Sequence, residues 1–141
     1  MAVGNQAGYS NSTGTGLTAI GYAAAYATTT ATQITAVGFG SLGNTTGSYN
    51  TAVGFNSGNY ITSGTRNTSI GASALSATAT ATGSNNTAVG TIALTANTSG
   101  GANTAVGDGA LQANTTASNN TAVGYQAGYS NTTSNYNTLT M

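Results

Sequence analysis

Thr-Ala-Val-Gly, or a close variant of it, recurs along the whole chain and ends on Gly4, Gly21, Gly38, Gly54, Gly71, Gly90, Gly107 and Gly124. Successive spacings are 17, 17, 16, 17, 19, 17 and 17 residues. A fixed short period means that copies of one unit are stacked. Seventeen residues are too few for a helical hairpin and suit one coil of a β-solenoid. The expected fold is therefore all-β: a parallel β-solenoid of about eight coils in a single repeat domain, residues 1–141. Coils begin near residues 1, 18, 35, 51, 68, 87, 104 and 121, and a partial ninth covers 138–141.

The slots within the repeat are consistent. Val or Ile precedes every landmark glycine: Val3, Ile20, Val37, Val53, Ile70, Val89, Val106 and Val123. Side chains alternate between faces along a strand. With these residues read as an interior core row, the neighbouring alanines point outward. Ala19, Ala36, Ala52, Ala88, Ala105 and Ala122 then form a flat interchain face, and a charge at Val89 or Val106 is expected to collapse the assembly. Four residues after the landmark glycine comes Leu42, Leu75, Leu94 or Leu111, or else a small residue followed closely by Tyr9, Tyr26, Tyr60 or Tyr129. This reads as volume compensation, one large group per coil. Asn50, Asn67, Asn86, Asn103, Asn120 and Asn137 recur just before Thr and are expected to stack as an asparagine ladder. Leu17 and Ile34 hold that slot in earlier copies.

Composition removes most chemistry. Apart from tyrosines, the only ionisable side chains are Arg66 and Asp108, and His, Cys and Lys are absent. No general acid or base near neutral pH is available, nor a base to activate a Ser or Thr nucleophile. The expectation is no enzyme, no catalytic residue, no cofactor and no metal, since one Asp makes no cation cage. One Arg makes no phosphate-binding patch, so no nucleic-acid partner is expected. Neither an apolar run long enough for a membrane span nor a signal peptide is visible. Arg66 and Asp108 fall about two coils apart, too far for an intrachain pair at roughly 4.8 Å per coil. Tyr9, Tyr22, Tyr26, Tyr125 and Tyr129 could fill coils or form a carbohydrate-binding stripe; filling is the simpler reading. The alternating Thr/Ala stretch at 78–82 reads as a longer loop or an extended strand.

The pattern "NTAVG…AL…NTT…N", clearest at "NTAVGTIAL" from Asn86 and "NTAVGDGAL" from Asn103, resembles the head repeats of trimeric autotransporter adhesins (YadA-like heads) and similar repeats in phage and virus tail fibres. The resemblance covers the whole chain. It implies a left-handed β-roll with two short strands per coil, packed as a homotrimer, in an extracellular or virion-associated protein.

Both ends of the sequence are in register with the repeat. Met1 falls in the Thr slot of the first coil, and "NTLTM" follows "NTAVG" by 17 residues. Uncapped solenoid ends recruit other chains. Met1, Ala2 and Val3 are thus expected to meet Thr138, Leu139, Thr140 and Met141 of another copy, head to tail, or the sequence is a segment of a longer fibre. The leading functional expectation is a self-assembling structural fibre or filament subunit. The alternative is an adhesin head or receptor-binding shaft with a cell-surface or glycan receptor. An ice-binding solenoid ranks third, because the regular Thr row shares its face with the Val row, read here as inward.

Overall fold

The computed structural model describes residues 1–77 and 80–141; the Thr78 and Ala79 part of the alternating stretch lies outside the described residues. The described chain is all-β and contains no helix. Nine short strands form one parallel sheet: β1 (Ala2–Val3), β2 (Leu17–Ile20), β3 (Ile34–Val37), β4 (Thr51–Val53), β5 (Thr68–Ile70), β6 (Thr87–Val89), β7 (Thr104–Val106), β8 (Thr121–Val123) and β9 (Thr138–Thr140). Spatial order equals chain order, as a solenoid of about eight turns requires. Pairing is without shift, so Thr meets Thr and Ala meets Ala at successive levels, as in Thr87↔Thr104 and Ala88↔Ala105. Eight steps of about 4.8 Å give the sheet a length near 38 Å.

Each coil contributes one strand rather than the two implied by the resemblance. The far side is a stack of turns, with one bridge between Ile61 and Ala81. These turns are also bonded level to level. The Leu42 N–H donates to the Ser57 carbonyl at 3.0 Å, Leu75 to Ala93 at 2.9 Å and Leu94 to Ala110 at 3.0 Å. Aiming the N–H along the axis takes left-handed backbone, and Leu42, Leu75, Leu94 and Leu111 have φ of 46°, 47°, 53° and 49°. That conformation costs about 1–2 kcal/mol per residue. It persists because the hydrogen bond and the leucine's burial both depend on it.

The landmark glycine has a stricter cause. At Gly54 φ is 135°, outside the range that L side chains tolerate. A Cβ there would also lie 2.7 Å from the Gly71 carbonyl oxygen of the next level. Gly54→Ala is therefore expected to destabilise the fold by about 2–5 kcal/mol, from backbone strain plus overpacking. Urea unfolding followed by circular dichroism measures this; an unchanged midpoint would refute the close stacking.

Candidate interaction face

Which residues face inward is the reverse of the sequence expectation. Ala19, Ala36, Ala52, Ala88, Ala105 and Ala122 are all fully buried, and Ser69 joins their row. They line the inside of the coil and cannot form an interchain face. The Val and Ile slot lies outside: Val3, Val53, Ile70 and Val123 are exposed, while Ile20, Val37, Val89 and Val106 are half-buried. They do not form a core row.

The physical reason is the thinness of the coil. Leu42, Leu75, Leu94 and Leu111 cross the interior from the turn side and are 0–1% exposed, which leaves room for only a methyl group from the strand. The trade is visible where the leucine is missing. A Cβ on Gly128 would meet Leu139 and Leu111, and Leu139 of β9 stands in the alanine slot. A Cβ on Gly8 would meet Leu17, and one on Gly58 would meet Ile61. Large groups do compensate small slots, but they are Leu17, Ile61 and Leu139, and Ile34 and Ala25 are both buried in the same core. Tyr9, Tyr26, Tyr60 and Tyr129 do not fill coils; all four are exposed.

The asparagine ladder runs inside, next to the alanines. The Asn67 N–H donates to Asn50 Oδ1 at 2.9 Å, Asn86 to Asn67 at 2.9 Å, Asn103 to Asn86 at 3.0 Å, Asn120 to Asn103 at 3.0 Å and Asn137 to Asn120 at 2.8 Å. The Nδ2 groups also reach the next level, as Asn50 does to the Gly64 carbonyl at 2.8 Å and Asn103 to Ala117 at 2.8 Å. Sequence reasoning missed a second buried pair, Asn97 and Asn114, in which Asn114 Nδ2 donates to Asn97 Oδ1 at 2.8 Å. Their 17-residue spacing was the available signal.

Two rows remain on the outer face of the sheet. One is Val and Ile; the other is Thr18, Thr35, Thr51, Thr68, Thr87, Thr104 and Thr121, half-buried except for the exposed Thr121. In β9 both outward positions are threonine, Thr138 and Thr140. Charge is absent from these rows.

Aromatic rings stack on one another near one end of the solenoid. Tyr22, Phe39 and Phe55 stack with centroids 5.1 and 5.3 Å apart, and Tyr9 stacks on Tyr26 at 5.3 Å. In the triple stack both faces of Phe39 are covered by Tyr22 and Phe55, so a sugar ring finds only its edge there. Tyr125 is exposed near the other end. Arg66 lies over the Tyr49 ring at 5.4 Å, and Asp108 is exposed, with no ion pair among the described residues. No cavity and no metal-holding cluster of His, Cys, Asp or Glu occurs among the described residues. No described helix is long and apolar enough to cross a membrane.

At the two edges of the sheet, β1 pairs only with β2 and β9 only with β8. Met1, Ala2, Val3, Thr138, Thr140 and Met141 are exposed there, and Leu139 is half-buried. No known protein family, curated protein or solved structure matches this chain.

Ala105→Val should cost about 1–3 kcal/mol by overpacking the coil, while Val106→Ala, on the outside, should cost no more than about 1 kcal/mol. Thermal melts of the two variants check this, and equal losses would contradict the inward alanine row. Asn103→Leu removes the acceptor of the buried Asn120 N–H and should cost about 2–4 kcal/mol. Its midpoint in urea is the readout.

Proposed function

We propose that the chain is a structural rod of an extracellular or virion fibre, growing along the solenoid axis by the addition of further coils in the same register. The observation that carries this reading is the unshifted ladder through all nine strands, flanked from Asn50 to Asn137 by an asparagine ladder. Each level presents the next with the same strand backbone donors and acceptors, so a further coil, of the same chain or of another copy, continues the strand ladder, while Leu17 and Ile34 stand in the asparagine slot of the first coils. Between copies, contact of β9 with β1 is heterologous and does not close, which makes filaments rather than rings. The homotrimer implied by the adhesin-head resemblance would need a surface other than the alanine row, because that row is inside the coil.

The test is expression of residues 1–141 followed by electron microscopy over a range of concentrations. Filaments that lengthen with concentration are expected. Leu139→Asp or Ala2→Asp, each placing a charge at an inward edge position, should shorten them at least tenfold. Discrete particles of one size at every concentration would refute axial growth between copies.

A further inference from the structure

The outward Thr and Val rows form a two-dimensional lattice. Along the axis the repeat is the strand spacing, about 4.8 Å; along each strand, Thr and Val lie two residues apart, roughly 6.6 Å. The pairing fixes this without drift: Thr51↔Thr68, Thr68↔Thr87, Thr87↔Thr104 and Thr104↔Thr121 are all in register. The face is free of charge. Among the described residues, none of the seven threonine side chains of this row hydrogen-bonds within the chain, whereas Thr46, Thr62, Thr98 and Thr115 of the turns bond the next level through Oγ1.

Only a partner with its own short repeat can meet every level of such a face in the same way. Two fit that description: an ice lattice, whose rows of oxygens repeat close to the axial spacing, and another stacked sheet, meaning a second copy of this chain. Area and polarity separate them. The sheet is about 38 Å long and its outward residues about 10 Å wide, so the face covers about 380 Å². A stable protein contact takes about 800 Å² per partner. A dry contact would also cover a row of hydroxyls that have no partner within the chain. Against ordered water those hydroxyls are satisfied, while the Thr and Val methyl groups hold the neighbouring waters in cages. We therefore propose that the Thr/Val face of the sheet binds ice. The objection that the Thr row points inward no longer holds, because the alanines occupy the interior. This binding uses the side of the rod and is independent of growth at its ends.

The experiment measures thermal hysteresis and ice-recrystallisation inhibition for residues 1–141, with circular dichroism and sedimentation run in parallel. Faceted ice crystals and inhibition of recrystallisation are expected. Thr104→Tyr, a bulky group in the middle of the lattice, should lower the activity at least tenfold with an unchanged spectrum. Val89→Lys, which adds a charge without a large ring, should do the same. Thr116→Tyr, in an exposed turn away from the sheet, should leave it intact. Activity retained by Thr104→Tyr and Val89→Lys would overturn the assignment of the face. So would an inactive native chain. A stable trimer or dimer that Thr104→Tyr dissociates would give the face to a second copy.

Discussion

Everything in this structure depends on hydrogen bonds that run along the axis rather than within a coil. A 17-residue coil with 19 Leu, Ile, Val and Phe residues in the whole chain cannot hold itself together by burial alone. The backbone of each level is instead bonded to the next on both sides, through the strands and through the stacked turns. Inside, each Oδ1 of the ladder from Asn50 to Asn120 accepts from the asparagine N–H one level on, so these buried polar groups are satisfied as long as the register is kept. A shift by one residue would break this ladder and turn every side chain to the other face.

Axial bonding explains the residue choices. Bringing levels to strand spacing puts the backbone of one landmark glycine against the next, which excludes a Cβ at those positions. Pointing turn amides along the axis demands left-handed backbone, which Leu42, Leu75, Leu94 and Leu111 adopt in exchange for burial. A leucine crossing so thin a coil leaves the strand only a methyl. Alanine is thus the inward strand residue, and valine, the more apolar of the two, is outside.

Period, strand positions, parallel order and the asparagine ladder were legible in the sequence, because each follows from spacing alone. The inside and outside of the strand were not. Hydropathy favours Val over Ala for the interior, and nothing in a four-residue strand overrides it locally. The deciding signal was parity: Asn50 and Ala52 are two residues apart and share a face, so a buried asparagine carries the alanine inward with it. The tyrosines misled for a related reason. The small slots they follow are filled by Leu17, Ile34, Ile61 and Leu139, which come from other positions of the repeat.

The inward alanine also underlies both proposals made for this chain. It fills the coil and leaves an uncharged lattice of Thr and Val on the outer face of the sheet. The most direct test of this arrangement is thiol labelling under native conditions, made simple by the absence of cysteine in the chain. Single variants Ala105→Cys and Val106→Cys are adjacent in β7. The half-buried thiol at 106 is expected to react readily, and the one at 105 to react at least a hundredfold more slowly than it. Rapid labelling at 105 with protection at 106 would contradict the arrangement.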